Sequence, residues 1–245
     1  MNDAKLPLPA QFSEERLYFS LFFVWYDFTK FICKYMELLK KVSRLEAKRC
    51  FVLSQRFISK RMRKEAVKKY MIKPSQKTIT ANIKSQMLDV MKLTEKQQDH
   101  IIATEYKKRL KAYDAVEWYI GAVDVSEVGV WRGAGGMPKT WTRGSLKETA
   151  QKLFQERAKD NFQHSRIRAA RVVPTILEIK SILKKQKYLL PIILSSGTIK
   201  GARKGMKKMK GDIDDGCMRS LAFAGTGDEK IKAYIGISPK GFKGI

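Results

Sequence analysis

The chain has 245 residues, with 50 lysines and arginines against 24 aspartates and glutamates, and a formal net charge of +26 at pH 7. In a compact state these positive side chains repel one another unless an anion neutralises them. Nucleic acid is the usual anionic partner of such proteins. A hydrophobic content of 44% is enough for a folded core, so the charge is not that of a disordered tail alone. The three cysteines have no CxxC spacing, which argues against a disulfide framework and a zinc site.

The N-terminal segment has no signal-peptide pattern. Its most apolar run, LYFSLFFVWY at 17–26, is shorter than the roughly 20 residues that span a bilayer. We therefore expect a buried helix and no membrane span, with a helix on a membrane surface as the alternative.

Residues 13–70 are predicted to form two helices. In the first helix, apolar residues continue at helical spacing through Leu38 and Leu39. The second helix places Phe51, Leu53 and Phe57 on one side. The rest of the second helix is almost uniformly positive, which favours contact with phosphates over an ordinary solvated face. The candidate nucleic-acid-binding residues here are Arg56, Lys60, Arg61, Arg63 and Lys64.

After Pro74, residues 77–93 and 95–115 again have helical periodicity. The segments AVEWYIGAVDV and VGVW are rich in β-branched and aromatic residues, so each is predicted to be a short strand. The following stretch, RGAGGMPKTWTRGS, is predicted to be a loop.

That loop places aromatic rings beside cations, a combination suited to stacking on unpaired bases. Its candidate RNA-binding residues are Arg132, Lys139, Trp141 and Arg143. The alternative is that Trp131 and Trp141 only pack in the core.

Ser145 and Glu148 form a capping-box pattern, which predicts a helix running to about Gln163. Residues 166–173 are predicted to be a strand, and Pro174 is predicted to start the next helix. The apolar run 188–194 is then a further strand candidate. The arginines of this region that are candidates for RNA binding are Arg166, Arg168 and Arg171.

The stretch SSGTIKGARKGMKKMKGD at 195–212 matches neither a P-loop nor a dinucleotide fingerprint. If it were helical, its cations would cover most of the helix circumference, which suits a polyanion better than one small phosphate ester. A solvated basic turn is the alternative. The candidate residues are Lys200, Arg203, Lys204, Lys207, Lys208 and Lys210.

The chain closes with CMRSLAFAG, a turn, and IKAYIGI, which together are predicted to form a hairpin. Asp212, Asp214 and Asp215 are the one tight acidic cluster, but no partnering histidine pattern accompanies them. His100 and His164 also lack a nucleophile in any triad pattern. We therefore predict no enzymatic activity, no metal site and no cofactor.

The last fifty residues resemble the C-terminal domain of the small-subunit ribosomal protein three family. The likeness lies in Ser196-Gly197-Thr198-Ile199-Lys200-Gly201-Ala202, in Asp212-Ile213-Asp214, and in the strand Lys232–Ile237. Thr198 stands where the family has an arginine, and the spacing from Gly201 to Asp212 is shorter. The resemblance implies that Lys200, Arg203 and the lysines after them contact rRNA.

These observations predict an α+β protein with a helical N-terminal half and a small mixed α/β C-terminal half. Residues 1–115 would be a basic helical region and residues 116–245 an α+β RNA-binding domain. The predicted function is that of a structural RNA-binding protein of a large ribonucleoprotein, namely a divergent ribosomal protein of the cytoplasm or of mitochondria, with rRNA and neighbouring proteins as partners. The alternative is a viral nucleocapsid or matrix protein that coats RNA in a virion and self-associates.

Overall fold

The computed structural model describes residues 36–58, 90–159, 167–195 and 204–238. They have an α+β fold, as predicted, and belong to a compact unit that spans Tyr35–Ile245. The strands are β1 (Met36–Val42), β2 (Glu117–Asp124), β3 (Val128–Gly129), β4 (Ile192–Ser195), β5 (Gly211–Asp215) and β6 (Lys230–Ile237). The α-helices are α1 (Arg44–Ile58), α2 (Glu95–Asp114), α3 (Leu146–Lys159), α4 (Arg168–Glu178), α5 (Lys180–Lys185) and α6 (Cys217–Gly225), with short 3-10 turns at Ala134–Gly136 and Lys187–Leu189.

The six strands form one mixed sheet in the order β1-β2-β6-β4-β5-β3. β4 runs parallel to β6 and β3 parallel to β5, whereas the other neighbouring pairs are antiparallel. Strand β1 comes from the first predicted region and pairs with β2 of the second. The predicted boundary between residues 115 and 116 therefore falls inside this unit.

Strands β2 and β6, which pair along their whole length, confirm two predicted strands. Trp118 on β2 is buried and its indole N–H donates to the carbonyl of Tyr113 at 2.9 Å. It is paired with Gly236 on β6, where an added Cβ would lie 3.1 Å from the Trp118 ring and 2.8 Å from Leu194. The glycine lets the indole and β4 pack closely at this point.

Side-chain caps explain where two helices begin. Thr94 and Gln97 form a reciprocal capping box at the start of α2. The capping box predicted at Ser145 is confirmed, since its amide donates to Glu148 Oε2 at 2.7 Å and the Glu148 amide donates to Ser145 Oγ at 3.2 Å. Helix α3 is described as far as Lys159, and the predicted continuation to Gln163 lies outside the described residues.

The predicted strand at 166–173 is wrong, because a helix begins at Arg168. Ala169, Ala170 and Val173 are all buried and share one helical face, so packing against α6 overrides the β-preference of the valines. Pro174 lies inside this helix rather than starting it. Ile176 and Leu177 belong to the same helix, whereas Ile182 and Leu183 belong to the separate short helix α5.

Three other predictions are corrected. CMRSLAFAG is helix α6 and not a strand of a hairpin; Gly216 begins it with a φ of +88°, a conformation that favours glycine. Residues 36–42 are strand β1, although Leu38 and Leu39 were predicted to be helical, because the β2 edge offers backbone partners there. The predicted strand VGVW is reduced to Val128–Gly129.

In the described part of the chain, no helix combines the length and the apolar character that crossing a bilayer requires. The apolar run at 17–26 lies outside the described residues.

Candidate nucleic-acid interface

The loop between β3 and α3 is held in place by hydroxyl groups. Thr142 is buried, and its Oγ1 accepts from the Gly133 amide at 3.0 Å and lies 3.2 Å from the Lys139 carbonyl, to which it donates. The Thr149 hydroxyl on α3 shares its proton between the Ser145 carbonyl at 2.8 Å and the Trp141 carbonyl at 3.0 Å. The loop therefore has fixed backbone geometry at both ends of its basic and aromatic stretch.

A second basic segment, Lys204–Lys210, lies against this loop. The Lys207 amide donates to the Arg143 carbonyl at 3.1 Å, and the Lys210 amide donates to the Glu127 carbonyl at 2.9 Å. The Lys210 ammonium also pairs with the Glu127 carboxylate at 3.2 Å. Two groups of predicted RNA-binding residues that are far apart in the chain thus become neighbours. The described part of this segment is a turn and irregular backbone, and is not helical.

Four cations at this junction have no carboxylate partner among the described residues. Arg132, Lys139, Lys204 and Lys208 are exposed and form no ion pair with any residue in the described ranges. Some surface cations elsewhere are paired, as in Lys184–Asp228 and Lys187–Glu46. Others, such as Lys92, Lys96 and Lys152, are also exposed and form no ion pair within the described ranges. We call the residues of 131–144 and 204–210 together the loop junction.

The structure describes some of the predicted site residues, and others lie outside the described ranges. Arg56 lies on α1 and Arg171 on α4, Arg168 is exposed at the start of α4, and Trp141 is half-buried. The loop junction contains Arg132, Lys139, Trp141, Arg143, Lys204, Lys207, Lys208 and Lys210. Outside the described residues lie Lys60, Arg61, Arg63, Lys64, Arg166, Lys200 and Arg203.

The acidic cluster of β5 is occupied by partners within the fold. Asp214 is 6% exposed and pairs with Arg109 on α2, with 2.8 Å between Nε and Oδ2, and Tyr113 donates to the same oxygen at 2.6 Å. Burial raises the pKa of Asp214 to about 6, against the opposing effect of the Arg109 charge. Asp215 accepts from Gln55 at 2.9 Å and from Arg219 at 3.1 Å.

The described residues contain no group of three or more histidines, cysteines, aspartates or glutamates that could hold a metal ion.

Arg109 also connects the acidic cluster to the loop junction. Its guanidinium carbon lies 4.9 Å from the ring centroids of Phe51 and Tyr106, and 4.7 Å from that of Trp131. Each distance is within the range of a cation–π interaction. Trp131 is half-buried, and one face of its ring packs against the Arg109 guanidinium.

Sequence reasoning missed Arg109, Tyr113 and Gln55 as a polar cluster around β5. They lie on α1 and α2, more than a hundred residues before their aspartate partners. No local spacing pattern could have revealed them. The one available signal was the acidic triplet itself, since buried carboxylates require partners.

Comparison of the chain with models of protein families, with curated proteins and with solved structures finds no match. The resemblance to the ribosomal protein three family therefore stays a prediction from the residues.

Proposed function

We propose that this protein is a structural RNA-binding component of a large ribonucleoprotein, namely a divergent ribosomal protein of the cytoplasm or of an organelle. Its partners would be rRNA and neighbouring proteins of the particle. We propose no catalytic step for it. The predicted helical, basic character of the N-terminal half is part of this proposal for the residues outside the described ranges.

The observation that carries the proposal is the loop junction. It gathers exposed cations without carboxylate partners, among them Arg132, Lys139 and Lys204, on a backbone that hydrogen bonds hold in place. Cations that are neither buried nor paired are the ones available to displace counterions from a phosphate backbone.

Such binding would rest mainly on phosphates and on RNA shape. Each phosphate neutralised on single-stranded RNA adds about 0.7 to the steepness with which affinity falls with salt. The half-buried Trp141 offers a ring beside the cations Lys139 and Arg143, which suits contact with an unpaired base.

A charge-neutralised variant tests the proposal. Lys204→Gln/Lys208→Gln removes two unpaired cations from the loop junction. The matched control, Lys184→Gln/Lys187→Gln, removes two cations that already pair with Asp228 and Glu46. Fluorescence anisotropy with an rRNA fragment, across a salt series, should show weaker binding and a shallower salt slope for the first variant only. Equal losses in both variants would contradict a role for the loop junction.

Assembly of the protein on long RNA distinguishes the viral alternative from the ribosomal proposal. The protein is purified after nuclease treatment at high salt, then mixed with unrelated single-stranded RNA at low salt. Regular filaments or shells whose size follows RNA length would overturn the ribosomal proposal in favour of a nucleocapsid. Binding without ordered assembly supports the ribosomal proposal.

A further inference from the structure

Arg109 on α2 is a buried cation that contacts both the core and the loop junction. Its Nε lies 2.8 Å from Oδ2 of Asp214, which belongs to strand β5. Its guanidinium carbon also lies 4.7 Å from the centre of the Trp131 ring. Since Trp131 is the first residue of the loop junction, Arg109 connects a core strand directly to the start of that surface.

The pairing with Asp214 explains the charge of residue 109 but not its shape. A lysine ammonium would also neutralise a carboxylate, but it has no planar face. The Arg109 guanidinium lies 4.9 Å from the ring centres of both Phe51 and Tyr106, in addition to its contact with Trp131. A planar cation can pack against several rings at once. The arginine therefore holds the tryptophan of the loop in one cluster with a ring of α1 and a ring of α2.

Trp131 is half-buried and is enclosed only in part. It lines a cavity of about 370 Å³, together with Val172 and Ile176 of α4. A ring beside a cavity can move into it when a neighbouring contact is lost, because no packed atoms oppose the movement. The contact with Arg109 thus restrains a side chain that has room to shift.

The exposed cation Arg132 follows Trp131 directly in the chain and lies in the same turn. The Trp131 carbonyl accepts from the Ala134 amide at 3.0 Å, and the Gly133 amide donates to Thr142 Oγ1 at 3.0 Å. The backbone on both sides of Arg132 is therefore fixed. Movement of Trp131 would displace the turn that carries this cation.

We propose that Arg109 is a positioning residue for RNA binding, which holds Trp131, and through it Arg132, in the place where the loop junction meets phosphates. The inference rests on the proposed RNA-binding function. Arg109 is only 7% exposed, so it acts on the RNA through the loop and not by direct contact. It fixes the loop before RNA arrives, so less ordering is required on binding.

The test uses Arg109→Lys and a matched control on the same helix, Tyr113→Phe. Arg109→Lys keeps a cation beside Asp214 and removes the planar face. Tyr113→Phe removes a hydroxyl that donates to the same carboxylate at 2.6 Å, from a ring that packs against Phe51 and Trp118. Anisotropy with the rRNA fragment should show about a three- to tenfold loss of affinity for Arg109→Lys. Tyr113→Phe should bind like the wild type, even where urea denaturation shows both variants to be destabilised.

A double variant and hydrogen exchange separate positioning from a general loss of stability. In the Trp131→Leu background, Arg109→Lys should cause no further loss of affinity, because the ring that it holds is gone. Independent effects would instead multiply. In the free protein, the amides of residues 132–137 should exchange faster in Arg109→Lys, and at the wild-type rate in Tyr113→Phe.

Each outcome decides for or against the inference. Unchanged affinity of Arg109→Lys, losses that multiply in the double variant, or an equal loss in Tyr113→Phe overturns it and leaves the proposed RNA-binding function standing. Failure of the folded wild-type protein to bind the fragment overturns both. If Arg109→Lys does not fold by circular dichroism, Trp131→Leu decides. Reduced affinity with faster exchange at residues 132–137 then supports the inference, whereas unchanged affinity, or reduced affinity at the wild-type exchange rate, overturns it.

Discussion

The backbone amide of Lys207 donates a hydrogen bond to the carbonyl of Arg143, at 3.1 Å. This contact joins the segment after β4 to the loop before α3. Two clusters of cations that are far apart in the sequence therefore lie on one part of the surface.

Replacing Lys207 by proline should weaken RNA binding more than the same replacement at Lys208. Both variants lose one cation, but only Lys207→Pro removes the amide that holds the segment to Arg143. Anisotropy with the rRNA fragment measures the difference. As an independent check, hydrogen exchange in the wild-type protein should be slower for the Lys207 amide than for an unbonded neighbour. Equal affinity of the two variants would show that the contact does not position the segment for binding.

Lys48 should be far more important for stability than the exposed cation Lys41. The Lys48 side chain is 0% exposed and its ammonium lies within 3.1 Å of carboxylate oxygens of Glu95, Asp99 and Asp114. These carboxylates raise its pKa despite the opposing effect of burial. Lys48→Gln would leave three carboxylates, each about a third exposed, without their buried cation, and should lower the free energy of unfolding by about 1.5–3 kcal/mol.

The control for Lys48 is Lys41→Gln, which breaks an exposed pair with Glu117 and should cost less than about 1 kcal/mol. Urea denaturation measures both values. Similar effects of the two substitutions would mean that burial of Lys48 is not decisive.

Asp214 should make stability fall as the pH rises from about 4 to about 6. Burial raises the pKa of its carboxyl group from 3.8 to about 6 in the folded state, in spite of Arg109. Between these values the unfolded chain releases the proton while the folded chain holds it, so the folded state loses stability as pH increases. The loss is at most on the order of 3 kcal/mol, from about 1.4 kcal/mol for each unit of pKa.

The measurement is urea unfolding across that pH range for the wild-type protein and for Asp214→Asn. Subtracting the second profile from the first removes the contributions of the other carboxylates. The difference in unfolding free energy should decline with increasing pH. A difference that grows instead would mean that the charge of Arg109 outweighs burial and lowers the pKa.

Gly225 should not tolerate alanine. A Cβ at this last residue of α6 would overlap the ring of Phe154 on α3. Forcing the two helices apart should lower the unfolding free energy by about 1–3 kcal/mol, measured by thermal or urea denaturation. Phe154→Leu in the same chain should recover part of the loss. If the double variant is only the sum of two losses, the ring is not the cause.

Local features were sufficient for several parts of the fold. The β-branched and aromatic content of β2 and the turn before β6 predicted those strands, and the Ser145–Glu148 pattern predicted the start of α3. Each of these signals lies within a few residues of the chain, although β2 and β6 themselves pair across more than a hundred residues. The excess of cations likewise follows from composition alone.

Local sequence patterns gave wrong predictions where tertiary packing determines the secondary structure. Residues 168–178 have valines that favour a strand, yet their alanines pack as a helical face on α6. Residues 217–225 are similar, since an apolar run of that length suits either state until its neighbours are known.

By itself, the sequence determined that this chain is a basic α+β protein, and it identified the cations of the loop junction as candidate RNA-binding residues. The tertiary structure alone decided that Arg143 lies beside Lys207, that Arg109 pairs with Asp214, and that a cavity opens next to Trp131. Those relationships join residues far apart along the chain. They arise from how the sheet and helices pack, and no short stretch of residues encodes them.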